Sequence, residues 1–557
     1  MADASFFRLS AAATAFGAEI RAQHPNASAL AGRLAALCFH AAGEGHSCLD
    51  MARLQAIYPH ALPDTDGARP GLATIFAGHP VVIHAGSRDA DQQAGLLVID
   101  GDRLYLHTYW RLETGLMHLL RARLDPQAMP PAGNAAETLA VLCRQKRLVL
   151  LTGGPGTGKT TAIAGALAAW LPDFHARTGT LPRIRLCAPT GKAAARMNES
   201  LALQMTALSA RLPTALQPAL AQEAQTLHRL LGIDPFSRRG RYADGRRLDA
   251  DLVVVDEASM LDMPMLMALL QSLTPECTLL LVGDPEQLPS IEIGNVLGAL
   301  LDAAPDSPFA QHVRNAHLHL RHNHRQAAQP GLGEFAADVL AADADTVFDK
   351  LRHQAYPGIR YHADTAAARA QVLAEAVEFH TRLARSPDVE RALGRLNERV
   401  ILTPLRKGPL GSESLNADIG RRLGHAHDRH GEAVMVLENV PALGLANGDT
   451  GLLWRAHDGL HAHFRLSGEV RRVPLAKLPR HEPAYALTVH KAQGSEYRQV
   501  DVLLPDAECP LLSKSLLYTA VTRATHGLCL AGPEHSLRTA LARDIRRMNG
   551  LAALSAG

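Results

Sequence analysis

The sequence has almost no excess of charge of either sign. Its 57 lysines and arginines are balanced by 55 aspartates and glutamates, which gives a net charge of +2. This balance excludes a strongly basic nucleic-acid-binding chain, so any contact with DNA must depend on local features. Hydrophobic residues make up 47% and charged residues 20% of the chain, as in ordinary globular proteins without long disordered tails.

Long apolar runs and a secretory leader are also missing. No uninterrupted apolar run approaches the roughly 20 residues that a membrane-spanning helix needs. The N-terminal segment has no basic region at its start, and Arg8 and Ser10 interrupt its apolar stretch, so it is a poor signal peptide. We therefore expect a cytoplasmic protein.

Cysteine pairs with metal-binding spacing are absent. The seven cysteines are scattered and odd in number, which fits neither a disulfide framework nor a zinc site and predicts reduced, mostly buried thiols. Histidines crowd the segment 312–324, but no cysteine or carboxylate ligand lies nearby. Solvated or core histidines are therefore a better prediction than a metal site. The histidines concerned include His317, His319, His322 and His324.

The length of the chain, 557 residues, exceeds what one hydrophobic core can organise and predicts three or four domains. Residues 1–125 mix short helical patterns with a hairpin signal around Gly101. The Pro- and Gly-rich segment 125–134 is typical of a linker. We therefore predict a mixed α/β N-terminal domain over residues 1–125.

Buried-strand patterns alternate with helical patterns over residues 135–320, which predicts a doubly wound parallel sheet with helices on both faces. A second block of this α/β kind covers residues 321–557. Within it, residues from about 430 to 482 change to short alternating strands separated by NGDTG and SGE turns. This change predicts a small β-barrel inserted into the second block.

Residues 153–160 read GGPGTGKT and match the phosphate-loop pattern G-x-x-x-x-G-K-[ST], between an apolar run and a helical stretch. Glycines let backbone amides wrap around phosphate oxygens at the positive end of the following helix. Lys159 would neutralise the β- and γ-phosphates of ATP, and Thr160 would bind Mg²⁺. The predicted ATP-binding residues here are Gly153, Gly154, Pro155, Gly156, Thr157, Gly158, Lys159, Thr160 and Thr161.

A pair of carboxylates follows the apolar run in DLVVVDEASM, residues 251–260. A buried strand would deliver both to its carboxyl end, where burial costs several kcal/mol unless a cation compensates. Asp256 is suited to the magnesium shell. Glu257 can orient and deprotonate the attacking water.

The segment LVGDPEQLPSIEIGN, residues 281–295, is similar to motif III of superfamily 1 helicases, and this resemblance implies that Gln287 senses the γ-phosphate. APTGKAAARM, residues 188–197, and AQTLHRLLG, residues 224–232, resemble the DNA-contact motifs that precede it. Loops at strand ends can present amides and hydroxyls to a phosphodiester chain. The resemblance therefore proposes Pro189, Thr190, Lys192 and His228 as DNA contacts.

Two arginines are expected from the second block, because charge on a transferred phosphoryl group is best met by donors from the facing domain. Arg325 lies in RHNHRQ, similar to motif IV, and Arg523 lies in LLYTAVTRAT, similar to motif VI. ALTVHKAQGSEY, residues 486–497, resembles motif V. By this resemblance Thr488 and His490 would meet DNA, and the residues near the nucleotide would be Gln493, Gly494 and Glu496.

Three further segments, 104–113, 405–416 and 444–453, resemble the RecD family, the helicase subunit of RecBCD-type complexes. The resemblance implies two RecA-like motor domains, an SH3-like barrel and 5′ to 3′ movement on DNA. It also implies RecB-like and RecC-like partners, the latter facing the N-terminal domain, in the recombinational repair of double-strand breaks. The family usually has a glutamine upstream of the phosphate loop that reads adenine. In this sequence the polar residue nearest to that position is Glu137.

Other functions remain open from the sequence. An independent 5′ to 3′ helicase and a nucleotide-gated DNA-binding module are the alternatives. We find no metal-carboxylate nuclease cluster beyond Asp256 and Glu257, so an exonuclease centre is expected in a partner subunit. A basic cluster could line a DNA channel, although such runs are more often a solvated face. Its members are Arg238, Arg239, Arg241, Arg246 and Arg247.

Overall fold

Four β-sheets organise the part of the chain that the structure describes. The computed structural model describes residues 9–24, 28–62, 70–85, 95–125, 127, 133–209, 212–220, 223–234, 240–242, 244–290, 292–303, 307–322, 329–466, 468–507, 509–544 and 546–551. All seven cysteines lie within these ranges as buried free thiols. In this part of the chain, no helix has the length and apolarity needed to cross a membrane.

The N-terminal sheet has the order β1-β4-β3-β2. Its strands are β1 (Cys48–Asp50), β2 (Val82–His84), β3 (Leu97–Asp100) and β4 (Arg103–Leu106). The predicted hairpin is confirmed, because β3 and β4 pair antiparallel around Gly101, whose φ is 58°. The helices beside the sheet are Ala11–Ala22, Ala29–Gly43, Leu54–Ile57 and Leu72–Ile75.

The first parallel sheet has the order β10-β5-β9-β8-β6-β7. Its strands are β5 (Leu148–Gly153), β6 (Ile184–Ala188), β7 (Gln225–Thr226), β8 (Leu252–Val255), β9 (Thr278–Gly283) and β10 (His317–Leu320). The chain enters at β5, in the interior of the sheet, and adds strands on both sides of it. This is the doubly wound pattern that the alternation of strands and helices predicted.

Helices cover both faces of this sheet, because strand residues point alternately to opposite sides. Leu148 and Leu150 belong to the core on one face, and Val149 and Leu151 to the core on the other. The helices are His107–Arg121, Ala135–Gln145, Lys159–Thr178, Gly191–Ser209, Leu227–Leu231, Met263–Ser272, Val296–Leu301 and Pro308–Asn315.

The second parallel sheet has the order β11-β20-β19-β12-β18. Its strands are β11 (Ile359–His362), β12 (Arg399–Thr403), β18 (Ala486–Thr488), β19 (Tyr497–Leu503) and β20 (Ala524–Ala531). Its helices are Pro330–Ala341, Ala344–Arg352, Thr365–Ala384, Val389–Arg395, Ser412–Arg422, Lys514–Val521 and Glu534–Ala542. The α/β fold class with parallel sheets, predicted for both blocks, is therefore confirmed.

An antiparallel sheet interrupts the second block between β12 and β18, with the order β16-β15-β14-β13-β17. Its strands are β13 (Ala433–Val436), β14 (Thr450–Ala456), β15 (Gly459–Leu466), β16 (Glu469–Pro474) and β17 (His481–Pro483). The strands lie where the alternating pattern and its turns place them. They enclose a small apolar core of their own around Val434, Leu453 and Phe464.

Candidate functional site

The phosphate-loop sequence forms the turn between β5 and the helix Lys159–Thr178. Gly156 and Gly158 have φ of 78° and 82°, in the left-handed region that glycine adopts without steric cost. The Lys159 Nζ donates hydrogen bonds to the carbonyl oxygens of Gly153 and Gly154 at 2.7 and 3.0 Å. The loop therefore holds an ammonium group at the positive end of a long helix, which suits binding of a polyphosphate.

The two predicted carboxylates lie at the carboxyl end of β8. The Glu257 backbone amide donates to Asp256 Oδ1 at 2.8 Å, and Glu257 has φ of 52°, a costly conformation for a side-chain-bearing residue that is common at functional sites. Burial, reinforced by the charge of Glu257, raises the pKa of Asp256 to about 6, while Lys159 and Arg196 oppose the rise. The ionised form of Asp256 is thus destabilised by the fold.

Asp256→Asn is expected to stabilise the nucleotide-free protein at pH 7 by roughly 1–3 kcal/mol, because it removes a buried charge and about 1.36 kcal/mol corresponds to one pKa unit. The Glu257 amide keeps an acceptor, because the new carboxamide also carries an oxygen. Since the folded-state pKa of Asp256 is raised above its unfolded value, the cost of ionisation grows from about pH 4 to about 6 and is absent below.

Denaturant unfolding without nucleotide or Mg²⁺ measures this effect. The gain in the free energy of unfolding should shrink as the pH falls from about 6 towards 4. Asp244→Asn, at an exposed aspartate, is the matched control and should change stability little. A destabilised Asp256→Asn protein at pH 7 would contradict the prediction.

The loop after β9 forms hydrogen bonds that join the first parallel sheet to segments of the second. Asp284 is buried, and its Oδ2 accepts hydrogen bonds from Gln287 Nε2 at 3.2 Å and from the Tyr518 hydroxyl at 3.0 Å. The Leu288 amide donates to Thr519 Oγ1 at 2.8 Å, and Gln493 Nε2 donates to the Leu288 carbonyl at 2.8 Å. Gln287 thus lies on a loop that is bonded directly to a helix of the second parallel sheet and to the segment after β18.

Arg523 is buried at the end of the helix Lys514–Val521. Its Nε, Nη1 and Nη2 donate to Thr519 O at 3.0 Å, Ser495 O at 3.1 Å and Thr522 Oγ1 at 3.2 Å. Burial lowers the pKa of Arg523, and the carboxylates of Glu257, Glu496 and Asp284 act against that. Its own domain therefore holds the guanidinium in place in a region of negative charge.

Arg196, which the sequence did not single out, forms an ion pair with Glu496 across the two parallel sheets. Burial lowers the pKa of Arg196, but Glu496, Glu257 and Asp256 outweigh it and raise the pKa. The sequence does carry a signal for Arg196. This residue stands four positions after the predicted DNA contact Lys192 on one helix, and residues with that spacing share a helical face.

One cavity of about 400 Å³ brings these groups together. Its walls come from both parallel sheets, and among the predicted residues it unites the phosphate loop, both carboxylates, the loop glutamine and one of the two arginines. It is lined by Pro155, Gly156, Gly158, Lys159, Thr160, Thr161, Ala193, Arg196, Met197, Ser200, Asp256, Glu257, Gln287, Glu496 and Arg523. The other predicted arginine, Arg325, lies outside the described residues.

The predicted DNA contacts lie at strand ends. Pro189 and Thr190 follow β6, and Thr190 Oγ1 accepts the Ala193 amide at 3.2 Å. His228 is exposed just after β7, and Thr488 and His490 are half-buried at the end of β18. The positions of these residues do not test whether they contact DNA. Their DNA-binding role therefore stays a prediction.

Two other segments meet the predicted DNA-contact segment 188–197. A Cβ built on Gly191 would collide with Ala446 Cβ in the antiparallel-sheet insertion, and one built on Gly494 would lie 3.8 Å from Ala193 Cβ. Lys192 Nζ is buried without a hydrogen-bond partner among the described residues. Gly494 also has φ of 69°, which favours glycine.

Two of the clustered histidines, His317 and His319, contact the phosphate-loop strand. His317 Nε2 and His319 Nδ1 lie 2.6 and 2.9 Å from Thr152 Oγ1, and burial lowers the pKa of His317 to about 4. Within the described ranges, no group of three or more potential metal ligands occurs. His324 lies outside those ranges.

Those of the remaining sequence signals that fall within the described residues lie on the surface. Arg246 and Arg247 are exposed, as is Arg241, whereas Arg238 and Arg239 fall outside the described residues. Glu137 is exposed in the first turn of the helix Ala135–Gln145, where a negative charge favours the positive helix end. Helix electrostatics therefore accounts for Glu137 without a role in base recognition.

Three protein-family models match the chain. Residues 8–105 match the RecBCD enzyme subunit RecD, N-terminal domain, residues 137–292 match an AAA domain, and residues 483–531 match a UvrD-like helicase C-terminal domain. A solved Pif1 helicase from Bacteroides, in complex with ADP-AlF3 and ssDNA, is similar at 17% identity and a TM-score of 0.40, covering 72% of this chain and 92% of that one.

Curated proteins match over most of the chain. RecBCD enzyme subunit RecD of Mycolicibacterium smegmatis is 34% identical, covering 82% of this chain and 83% of the relative. The protein of that description from Mycobacterium tuberculosis is 33% identical, covering 93% and 89%. The ATP-dependent RecD2 DNA helicase of Deinococcus radiodurans is 30% identical, covering 91% of this chain and 65% of the relative.

Proposed function

The chain belongs to the family of the RecBCD enzyme subunit RecD and is an ATP-dependent DNA helicase, and on this premise we propose how it works. It hydrolyses ATP to pull single-stranded DNA in the 5′ to 3′ direction, as the second motor of a RecBCD-type complex that processes double-strand breaks for recombination. The observation that carries this proposal is the cavity in which a phosphate loop faces Gln287, Glu496 and Arg523.

The residues of the cavity divide the work of hydrolysis. Lys159 and the loop amides hold the phosphates, and Arg523 meets charge that builds on the transferred phosphoryl group. Glu257 orients the attacking water and takes its proton. Arg325 is the proposed second arginine, and Gly494 and Glu496 complete the nucleotide site from the second parallel sheet.

Magnesium fits the donors that the cavity offers. The Thr160 hydroxyl and the buried Asp256 carboxylate both line it, and hard oxygen donors together with phosphates are what Mg²⁺ prefers. When bound, the ion supplies positive charge that draws electron density from the phosphates. The raised pKa of Asp256 is then offset by the cation, which favours the ionised carboxylate.

Movement along DNA follows from the bonds between the two sheets. Closure around ATP shifts the loop of Gln287, and the Leu288 bonds to Thr519 and Gln493 pass that shift to the second motor domain. Gln493 is close in sequence to His490, so a change in nucleotide state reaches the proposed DNA side. There the backbone of the strand would meet Pro189, Thr190, Lys192, His228, Thr488 and His490.

The domain arrangement that we propose has four parts. Residues 1–125 form the partner-docking domain, whose last helix, His107–Arg121, packs against the first parallel sheet, and residues 135–320 form the first RecA-like motor domain. Residues 321–557 form the second RecA-like motor domain, with an SH3-like barrel at about 430–482. RecB-like and RecC-like subunits are the proposed partners, the nuclease centre belongs to a partner, and the complex works in the cytoplasm at DNA ends in the nucleoid.

The independent helicase is the alternative. The Deinococcus RecD2 relative is covered over 65% of its length, and the mycobacterial RecD subunits over 83% and 89%, which favours the subunit. The nucleotide-gated DNA-binding module is disfavoured because a module of that kind needs no second motor domain around its nucleotide.

Strand displacement from tailed duplexes tests the proposal. The chain is purified with its native partners after nuclease treatment, weighed by native mass spectrometry, and compared with the chain alone on 5′-tailed and 3′-tailed duplexes of one sequence. We expect two large partners at equal stoichiometry and unwinding by this motor from the 5′ tail. A lone chain that unwinds processively would support the independent helicase, and absence of displacement in any assembly would support the binding module.

A further inference from the structure

The last described residues, 546–551, cross from the second motor domain to the N-terminal sheet, and we call them the C-terminal strap. Met548 is fully buried in the core of that sheet. Its backbone amide donates to His46 Nδ1 at 2.8 Å, and its carbonyl accepts the Ser47 amide at 3.1 Å. The strap thus completes a domain formed by the other end of the chain, since 502 residues separate Met548 from His46.

The strap is fixed beyond Met548 as well. The Gly550 amide donates to both carboxylate oxygens of Glu113, at 3.1 and 2.9 Å, and a Cβ on Gly550 would collide with the Tyr105 hydroxyl. Glu113 is fully buried, and burial raises its pKa to about 7. Leu551 joins the core of the first parallel sheet. Only glycine fits at position 550, so docking of the strap is specific.

The other end of this crossing belongs to the second motor domain. The Arg543 carbonyl accepts the Lys514 amide at 3.0 Å, and Arg543 Nη1 donates to the Cys509 carbonyl at 3.2 Å. Arg546 then pairs with Asp302 of the first motor domain at 3.2 Å. Arg543 therefore lies against the second motor domain and Arg546 against the first.

Arg547 reaches the loop after β9, which we call the nucleotide-sensing loop and of which residues 284–290 and 292–294 are described. Its Nη1 donates to the carbonyl oxygens of Glu292 and Gly294, the latter at 3.1 Å, and lies 3.5 Å from Ser290 Oγ. The guanidinium also packs on the N-terminal domain, because a Cβ on Gly45 would lie 2.5 Å from Arg547 Cζ. The Gly294 amide donates to the Gly45 carbonyl at 3.1 Å.

We propose that Arg547 is a positioning residue for the nucleotide-sensing loop, through which the N-terminal domain acts on ATP turnover. The inference rests on the proposed ATPase, and it adds a route from the partner-docking domain to Gln287. Gln287 and Leu288 form the near end of the loop, in the cavity and against the second motor domain. Ser290, Glu292 and Gly294 form the far end, which Arg547 holds.

Arg547 positions the loop through charged hydrogen bonds, which a neutral side chain cannot replace. Burial lowers the pKa of Arg547 to about 10, with Glu292 acting against the shift, so the guanidinium is charged at neutral pH. Without it, the carbonyl oxygens of Glu292 and Gly294 lose their charged donor and keep only the weaker hydrogen bonds from the Ser290 hydroxyl, which donates to both. The loop would then shift, and Gln287 would change its position in the cavity wall.

The test compares Arg547→Ala, Arg547→Lys and Arg546→Ala in the full chain. Arg546 is the matched control, because it lies on the same strap but pairs with Asp302 and Asp544 rather than with the loop. We expect Arg547→Ala to lower kcat of DNA-stimulated ATP hydrolysis by about tenfold, since small misplacements of catalytic groups are costly. KM for ATP should change little, because the phosphate loop is untouched. Arg547→Lys should recover part of kcat, and Arg546→Ala should resemble wild type.

Three outcomes would overturn the proposal or its premise separately. Wild-type kcat in Arg547→Ala would overturn the positioning role. An equal loss of kcat in Arg546→Ala would assign the effect to docking of the strap as a whole. A wild-type chain without DNA-stimulated ATPase would instead overturn the proposed function. If Arg547→Ala melts at a lower temperature, Arg547→Gln, which keeps a long polar side chain, decides the question by the same split between kcat and KM.

Discussion

Lys159→Gln is expected to lower kcat of DNA-stimulated ATP hydrolysis by about a thousandfold, because it removes the positive charge that meets the phosphates in the transition state. The structure gives the reason for so large an effect. Lys159 lies on the cavity wall at the start of a long helix, held by the carbonyls of Gly153 and Gly154. A neutral carboxamide can donate a hydrogen bond there but brings no charge.

Steady-state ATPase measurements with and without single-stranded DNA check this result. Lys350→Gln is the matched control, because Lys350 is a surface residue that pairs with Glu334 and Asp338, and surface ion pairs contribute little to stability. The control should retain wild-type turnover. Unchanged hydrolysis in Lys159→Gln would remove the basis of the ATP-driven motor.

Arg523→Lys is expected to lower the rate of the hydrolysis step by about a thousandfold, the lower end of what arginine fingers contribute. Lysine keeps one positive charge but cannot reproduce the fork that donates to Thr519 O, Ser495 O and Thr522 Oγ1. Nucleotide affinity should change much less, because the phosphate loop belongs to the first parallel sheet. The loss should therefore appear in kcat.

Single-turnover hydrolysis and equilibrium nucleotide binding separate these two quantities. Arg498→Lys is the control, because Arg498 is exposed near the start of β19 and does not line the cavity that Arg523 lines. Thermal unfolding of both variants shows whether the buried site tolerates lysine. Equal hydrolysis by Arg523→Lys and wild type would assign the transition-state charge to another residue, with Arg325 the first candidate.

Local signals were enough to predict where several residues of the cavity lie in the fold. The phosphate loop, the carboxylates Asp256 and Glu257, and the loop of Gln287 each follow a buried strand directly, and strands of a parallel sheet end at one edge. A pattern confined to a few consecutive residues therefore determined both the structure and the neighbourhood of these groups. The resemblance to the RecD family, drawn from the segments 104–113, 405–416 and 444–453, is confirmed by the mycobacterial relatives.

Turns and alternation predicted the antiparallel sheet for a similar reason. The predicted turns NGDTG and SGE stand before β14 and between β15 and β16, and their glycines Gly448 and Gly468 have φ of 94° and 86°. Hydrophobic residues at every second position decide which side of a strand is buried. The turns and the alternation along the chain were enough to locate these strands. The barrel form of the sheet remains part of the proposal.

Tertiary structure alone decided the contacts between distant segments. Arg196 and Glu496 are 300 residues apart, and an arginine in a helical pattern is by itself an ordinary surface residue. The C-terminal strap is a second example of such a distant contact. Nothing in the sequence around Met548 indicates that this residue lies in the core of the N-terminal sheet.

The physical reason for this division is the range of the interactions involved. Backbone conformation, helix starts and strand alternation depend on neighbours within a few residues, so the sequence by itself determined the phosphate loop, its carboxylates and the α/β class. Ion pairing, burial and the pKa of Asp256 depend on which groups the folded chain brings within a few ångströms. Only the tertiary structure could therefore place Arg523 in the cavity with the phosphate loop and Arg547 against the loop that carries Gln287.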